Sequence, residues 1–367
     1  MTLYITFILF MKHYYFSALA LMAATFSFAQ CPPAGLTITN QSQLDAFLVE
    51  YPNCTEINGD VIIDEVSINN LNGLANIVSI TGALEIREVP ALANLNGLQN
   101  LQTVGTDLIL REVGGLSSLA ALSSLASVGG EFTVRSCPDL LDLDGVENLA
   151  TVGLGLIIRD CESLTSIEGL SGVTFVGEIL EVVENPVLTS LSGLENVTTV
   201  VGGDEGALVI EGNSQLTSLE GLGNASTVMT GGVTIAVNGL LAFCAVPSIC
   251  NYLQNPPAGA LVTINTNLLG CNSQVEVEAA CAVLDTDYFV TENVPFRLMQ
   301  NPVGNALQLH STEDNGTVVV YDALGRQISH YSLQKGNNSF GLEASSGLLI
   351  VVVESGEHKE IFKVLKH

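Results

Sequence analysis

Residues 156–170, LIIRDCESLTSIEGL, and residues 208–222, LVIEGNSQLTSLEGL, are two copies of one pattern. From Gly59 the chain returns to it every 23 to 28 residues, roughly as G-x-L-x-I-x-x-N-x-x-L-x-x-L-x-G-L-x-N-L-x-x-V. Such a period is typical of a solenoid, and the short alternating apolar runs within it predict strands. We expect eight equivalent strands, with a ninth, irregular repeat at Leu261. They start at Val61, Leu84, Leu108, Phe132, Leu156, Leu180, Leu208 and Val233.

Each coil of the repeat, here called a rung, cannot bury its apolar side alone, so neighbouring rungs stack around a shared core. Strand alternation places Leu84 and Ile86 inside and Glu85 and Arg87 outside. The later L-x-x-L-x-G-L segment turns the corner and adds a second apolar edge. The predicted fold is mainly β, a right-handed β-solenoid with short capping helices, and its function is expected along a surface rather than in one pocket.

Both ends of a solenoid need caps, because an open end exposes core residues and unpaired strand edges. Residues 42–50 predict an amphipathic cap helix at the start, closed by a bridge between Cys31 and Cys54. Residues 246–253 and 273–281 predict two short helices at the other end. Cys244, Cys250, Cys271 and Cys281 lie there, and four cysteines allow three connectivities, which the sequence leaves open.

Composition excludes some classes of partner. The formal net charge is -27, and residues 31–285 contain 29 acidic residues, four arginines and no Lys or His. Nucleic acids and anionic membranes need a basic surface, so neither is an expected partner.

The first thirty residues predict an export signal. Lys12 and His13 precede the apolar run 14–28, and Ala29-Gln30 offers a cleavage site before Cys31. Export makes disulfides the default expectation for the eight cysteines.

The four arginines recur every 24 residues at one outward repeat position, and this column is our candidate ligand-binding site: Arg87, Arg111, Arg135 and Arg159. Guanidinium groups suit carboxylate, sulfate or hydroxyl-rich ligands. Like charges ~4.8 Å apart repel, so the column needs a ligand or acidic neighbours, and Glu88, Glu112 and Asp160 follow it directly. A purely structural ladder of ion pairs is the alternative.

Cys137 and Cys161 occupy one repeat position on neighbouring rungs. Strand spacing permits a disulfide there, whereas the alternative is a pair of buried small residues. Three valines fill the same predicted column on earlier rungs, namely Val66, Val89 and Val113. Three asparagines continue it as a predicted amide ladder, namely Asn185, Asn213 and Asn238.

Nucleophilic catalysis needs a base beside the nucleophile, and residues 31–285 lack His and Lys, so no Ser-His-Asp or Ser-Lys site is expected. The sequence predicts no enzyme, cofactor or metal. Asp142, Asp144, Asp204 and Glu205 leave a calcium-assisted polysaccharide-processing site as a less favoured alternative.

Residues 286–293 predict a polar linker, and residues 294–367 a small Ig-like β-sandwich of about seven strands. Four of these strands are predicted at residues 306–309, 317–322, 348–354 and 360–365.

Residues 31–282 resemble the receptor L-domain and leucine-rich repeat-like proteins that many Bacteroidetes secrete. The resemblance rests on Cys31-Pro32-Pro33, the Tyr51-Pro52-Asn53-Cys54 stretch, the Leu-Thr-Ser-Leu-x-Gly-Leu copies from Leu188 and Leu216, and the segment from Cys271 to Cys281. It implies a role in recognition or adhesion and carries no catalytic residues.

Residues 294–367 resemble the C-terminal sorting domain of type IX secretion, with Leu349 where such domains usually have Tyr. The matching residues are Asn301, Pro302, Tyr321, Asp322, Gly325, Gly347, Lys363 and Lys366. The resemblance implies that the secretion machinery is a partner and that the passenger crosses the outer membrane.

The sequence thus predicts a non-catalytic recognition or adhesion protein, secreted or on the cell surface, whose ligand is an extracellular protein or glycan. A structural envelope or matrix component is the alternative.

Overall fold

The computed structural model describes residues 31–32, 34–203, 206–284, 295–298, 303–322, 326–342, 347–356 and 358–366. The predicted signal peptide and linker lie outside these residues. The chain divides into two compact units at the 285/286 boundary, and each is described by itself.

The first unit is built from parallel strands. In chain order they are β1 Leu36–Ile38, β2 Glu56–Ile57, β3 Val61–Ile63, β4 Ser79–Ile80, β5 Leu84–Arg87, β6 Thr103–Val104, β7 Leu108–Arg111, β8 Ser127–Val128, β9 Phe132–Arg135, β10 Thr151–Val152, β11 Leu156–Arg159, β12 Phe175–Val176, β13 Leu180–Val183, β14 Thr199–Val200, β15 Leu208–Glu211, β16 Val228–Met229, β17 Val233–Ala236 and β18 Val262–Asn265. The odd-numbered strands and β18 form a ten-stranded sheet, and the even-numbered strands β2 to β16 form a second sheet of eight.

All eight predicted strand starts are confirmed as the first residues of β3, β5, β7, β9, β11, β13, β15 and β17. The ninth rung also forms, with its strand beginning at Val262. Strand β1, which pairs with β3, was not predicted, and neither were the short even-numbered strands, which follow the corner segments and form the second sheet. The corners contain short 3-10 helices at Asn72–Leu74, Ala120–Leu122, Glu168–Gly172 and Glu220–Leu222.

The core lies between the two sheets and repeats with the sequence. Leu84 and Ile86 are fully buried, as the alternation predicts, and so are Leu92 and Leu95 of the following segment. One continuous apolar cluster runs from Ile38 to Cys281. Burial of this apolar surface drives the stacking of rungs.

A left-handed residue comes after the outer strand on five successive rungs, namely Glu88, Glu112, Ser136, Asp160 and Glu184, each with φ between 53° and 56°. It turns the chain inward, so the next residue enters the core: Val89, Val113, Cys137, Cys161 and Asn185 are all fully buried. The placement of Val66 in this column was wrong. Its rung lacks the left-handed turn, and Val66 is 63% exposed.

The predicted amide ladder is present and extends to Asn267. The backbone N–H of Asn185 donates to Asn213 Oδ1 at 3.1 Å, and that of Asn213 donates to Asn238 Oδ1 at 3.0 Å. Asn213 Nδ2 also donates to the carbonyl oxygens of Val182 and Glu211. The ladder therefore satisfies backbone groups that the inward turn would otherwise leave unpaired inside the core.

Helices and disulfides cover both ends of the array. Helix α1, Gln41–Glu50, starts at the N-cap Asn40 and buries Leu44 and Phe47. Helices α2, Pro247–Gln254, and α3, Gln274–Leu284, cover the other end. Cys31 pairs with Cys54 as predicted, and the pairing that the sequence left open is Cys244–Cys271 and Cys250–Cys281.

The second unit contains antiparallel strands. They are β19 Phe296–Leu298, β20 Ala306–Ser311, β21 Gly316–Asp322, β22 Gln327–Leu333, β23 Gly336–Gly341, β24 Gly347–Ser355 and β25 His358–Lys366. Within the described residues they form a three-stranded sheet, β19-β20-β23, and a four-stranded sheet, β22-β21-β24-β25, around a core that includes Phe296, Val320 and Val351. The Ig-like assignment stays a prediction.

Candidate ligand-binding site

The four arginines of the first unit form one column on the outer face of the ten-stranded sheet. Arg87 pairs in register with Arg111, Arg111 with Arg135, and Arg135 with Arg159. They end strands β5, β7, β9 and β11, and their side chains are between 34% and 49% exposed. The predicted column is therefore present in the fold.

Every arginine of the column has acidic partners. Arg87 lies 3.0 Å from both Asp64 and Glu85, and Arg111 lies 3.6 Å from Glu88 and 3.7 Å from Glu112. The predicted partners Glu88 and Glu112 are thus found, and Asp64 and Glu85 are additional.

Asp160 bridges the last two arginines, at 3.2 Å from Arg135 Nε and 3.6 Å from Arg159 Nε. Glu181, on the next strand, accepts from Arg159 Nη1 at 2.9 Å. Six carboxylates therefore neutralise four guanidinium groups, so the column is not a free cationic surface and does not favour a polyanion over a neutral ligand.

A second outward column lies two residues earlier on the same strands. It alternates apolar and polar residues from rung to rung, as Ile62, Glu85, Ile109, Thr133, Ile157, Glu181 and Val209. Thr133 lies between Ile109 and Ile157 and is only 8% exposed although it faces outward. The centre of the face thus has a buried threonine whose register partners on both sides are apolar.

Three buried side-chain polar atoms lack a hydrogen-bond partner among the described residues: Arg111 Nε, Thr133 Oγ1 and Arg159 Nε. The two arginine nitrogens have carboxylate oxygens at 3.7 and 3.6 Å, which is too far for a hydrogen bond. All three atoms lie on adjacent strands, β7, β9 and β11, of this face. Buried polar groups without a partner cost free energy and are rare in folded proteins.

The sequence located the arginine column but missed the unpartnered Thr133. A signal was present, because Thr133 is the polar residue between Ile109 and Ile157 in the outward column, but its burial depends on side chains of three rungs at once.

The acidic segment that suggested a calcium site has a structural role in its turn. The backbone N–H of Asp144 donates to Asp142 Oδ1, and that of Gly145 donates to Glu147 Oε1. Asn94, Ser118, Ser166, Ser190 and Ser218 accept the corresponding bond on other rungs. Asp142 therefore does what a serine does elsewhere.

Asp144 lines a shallow acidic groove with Glu147, Glu168 and Glu195. Repulsion from Asp142, followed by burial and by Glu147 and Glu168, raises the pKa of the Asp144 carboxyl. In the part of the chain that the structure describes, no group of three or more His, Cys, Asp or Glu side chains is arranged to hold a metal ion. Asp204 and Glu205 lie outside that part.

The described residues of the predicted sorting motif come together at one end of the four-stranded sheet. Asp322 pairs with Leu349, and Gly347 pairs with Lys366. Arg326 donates from its backbone N–H and from Nε to the Asp322 carboxylate, at 2.9 and 2.7 Å. Tyr321 precedes Asp322, and Lys363 lies on β25 with Lys366. Asn301, Pro302 and Gly325 lie outside the described residues.

Residues 53–114 match the family model of the receptor L domain. The match spans β2 to β7 and includes Arg87 and Arg111. No curated protein sequence matches the chain significantly. The described residues contain no helix long and apolar enough to cross a membrane. The L-domain match suggests a receptor-like recognition role, and together with the disulfides it suggests an extracellular or secreted protein.

Proposed function

We propose that this chain is a non-catalytic recognition or adhesion protein that is exported by type IX secretion and displayed at, or released from, the outer surface of the cell. The binding site is the outer face of β5, β7, β9 and β11, and its ligand is an extracellular glycan or protein. The L-domain match over β2 to β7 supports the recognition role.

The observation that carries this proposal is the concentration of polar atoms without a hydrogen-bond partner at Arg111, Thr133 and Arg159. A ligand that replaces part of the covering side chains and supplies hydrogen-bond acceptors would satisfy them. The surrounding carboxylates disfavour a polyanion, so a hydroxyl-rich glycan, or a protein surface that carries both charges, suits the face better.

An extended ligand laid across the strands meets the same side chains on successive rungs. Strands lie ~4.8 Å apart, so the four arginines offer repeated contacts along the sheet. Several individually weak contacts then add through multivalency.

Export by type IX secretion is proposed from the sorting-motif resemblance. The convergence of Asp322, Gly347 and Lys366 at one end of a sheet supports a single recognition element in the second unit. The secretion machinery would bind this end of the sheet, whereas the ligand of the first unit would not contact it.

The test replaces Arg111 and Arg135 together with Gln in the full chain and measures binding to a glycan array and to a panel of extracellular matrix proteins. We expect tenfold or greater loss of binding with the thermal unfolding midpoint nearly unchanged, since exposed ion pairs contribute only about 0–1 kcal/mol each. Arg297→Gln, at an exposed arginine of the second unit, is the matched control and should bind as the unmodified chain does.

One observation favours the alternative of a structural envelope component: the arginine column is fully ion-paired within the first unit. Lowered stability with unchanged binding in the double variant would support that alternative. Turnover of any polysaccharide in a panel would instead revive the less favoured enzyme hypothesis.

A further inference from the structure

Cys137 and Cys161 are neighbours across two rungs. Each lies two residues after an arginine of the outer column, and those arginines, Arg135 and Arg159, are direct partners in the parallel sheet. The intervening residues Ser136 and Asp160 have the same left-handed backbone, at φ 53° and 56°. The two thiols therefore project from matching backbone positions into the core, where both residues are fully buried and carry free thiols.

Interaction with the Cys161 side chain lowers the pKa of the Cys137 thiol, whereas interaction with Cys137, followed by burial, raises the pKa of the Cys161 thiol. Each Sγ also lies near the carbonyl oxygen two residues earlier, at 3.5 Å for Cys137 and Arg135 and 3.4 Å for Cys161 and Arg159. The asparagines of the next rungs make the same type of bond, but a thiol is a much weaker donor than an amide.

We propose that Cys137 and Cys161 are joined by a disulfide between rungs in the exported protein. Parallel strands lie ~4.8 Å apart, which is within the Cα separation of about 4.4–6.8 Å that a disulfide requires. The other six cysteines of this unit already form three disulfides, so the unit is suited to an oxidising compartment.

The oxidant is a disulfide of the dithiol oxidoreductase class. The Cys137 thiolate attacks one donor sulfur, which forms a mixed disulfide and releases the other donor sulfur as a thiolate. Cys161, once deprotonated, attacks the Cys137 sulfur of that mixed disulfide. The Cys137–Cys161 bond forms, and the donor leaves with two electrons and, after protonation, as a dithiol. Since both cysteines are fully buried, the exchange precedes closure of the rungs around them.

The bond would fix the rungs of β9 and β11 directly behind Arg135, Thr133 and Arg159. The disulfide would thus fix the distance between β9 and β11 at the centre of the outer face. This inference does not depend on the proposed recognition role or on its ligand, because it concerns the covalent state of the core, but it does rest on export to an oxidising compartment, which the three disulfides support.

Peptide mapping of the exported full-length protein tests it. Free thiols are alkylated under denaturing, non-reducing conditions, and the protein is digested with a glutamate-specific protease. Cleavage after Glu131, Glu147 and Glu162 releases peptides 132–147 and 148–162, each with a single cysteine. We expect one cross-linked species, lighter than the two free peptides by two hydrogen atoms, which reduction separates. Finding both peptides alkylated would overturn the proposal.

A matched variant measures the consequence of the bond. Cys137→Val with Cys161→Val places in both positions the residue that Val89 and Val113 supply on preceding rungs, so the core stays filled. We expect faster hydrogen exchange in β9 and β11 of this variant than in the oxidised unmodified protein. Equal exchange rates in the two proteins would contradict a bond that constrains these rungs.

Discussion

At the scale of single residues, the outer face contains side chains whose burial differs from that of the residues at the same repeat position on other rungs. Thr133 occupies the same strand position as Thr234, yet only Thr133 is buried. Thr133 pairs in register with Ile109 and Ile157 and lies two residues before Arg135 on β9. A buried hydroxyl without a partner destabilises the free protein.

Thr133→Val tests this residue with little change of shape. Removing a buried, unpartnered hydroxyl should stabilise the free protein by about 1 kcal/mol, because the desolvation cost disappears. The variant should bind more weakly than the unmodified chain to the glycans or matrix proteins that the unmodified chain binds. Thermal unfolding and binding assays check both outcomes.

Thr234→Val is the control for that substitution, since Thr234 is half-buried. It should leave both quantities nearly unchanged. A destabilised Thr133→Val protein would indicate that the hydroxyl has a partner in solution and that the face is not poised for a ligand.

At the scale of elements, each rung from β5 to β17 combines a strand, a left-handed turn and one core residue. Non-glycine residues disfavour the left-handed region, so the turn at Glu88, Glu112 and Asp160 must be held in place by the core residue after it. Valine anchors the early rungs by burial alone, whereas Asn185, Asn213 and Asn238 anchor the later rungs by hydrogen bonds.

Asn213→Val should therefore destabilise the first unit strongly although valine fits the same column elsewhere. The backbone N–H of Asn185 and the carbonyl of Val182 would each lose a buried partner, at about 1–3 kcal/mol for each group. Urea unfolding measures the effect. Ser214→Ala, which removes only an exposed bond to the carbonyl of Pro186, is the control and should cost less than about 1 kcal/mol. A similar loss of unfolding free energy in both variants would show that the asparagine ladder stabilises the unit no more than an exposed hydrogen bond does.

Cys54→Ser tests the cap at the start of the array. The variant loses the bond to Cys31, and removal of a native disulfide from a secreted domain typically costs about 2–5 kcal/mol. Rungs contact only their neighbours, so hydrogen exchange should accelerate at β1, β3 and β5 more than at β15 and β17. A uniform change along the solenoid would contradict this local role.

At the scale of the whole molecule, the two units divide the proposed work. The first unit has most of the acidic residues and the candidate binding face, and it is fastened at both ends by disulfides. The second unit has its own core and the motif residues proposed for export. We therefore expect the two activities to be separable by truncation.

Deletion of residues 294–367 should leave a folded first unit in the periplasm, because the proposed sorting signal is lost while the solenoid core stays complete. Cell fractionation and protease accessibility of intact cells check the location, and circular dichroism of the purified fragment checks folding. Normal amounts of the truncated protein at the surface would contradict the assignment of residues 294–367 as a sorting domain. The matched control is Thr286→Ser, a near-neutral change before the deleted segment, which should be exported normally.

Periodicity in the sequence determined much of the first unit. The spacing of residues along the chain specifies the strand starts, the inward and outward alternation, the arginine column and the asparagine column. Because rungs stack in register, residues one repeat apart in the sequence become neighbours in the structure. The cap helices are specified by local patterns too. The same reasoning failed at Val66, where one rung lacks the left-handed turn that places its equivalents in the core.

Which groups find partners depends on how the rungs and helices pack in three dimensions. The pairing Cys244–Cys271 and Cys250–Cys281 depends on how α2 and α3 pack on the last rungs. The neutralisation of the arginine column by Asp64, Glu85 and Glu181, and the orphaned hydroxyl of Thr133, depend on side chains from several rungs at once. A repeat pattern specifies where a residue lies in its rung, whereas burial and hydrogen bonding are set by everything around it in three dimensions, and the sequence pattern does not contain that information.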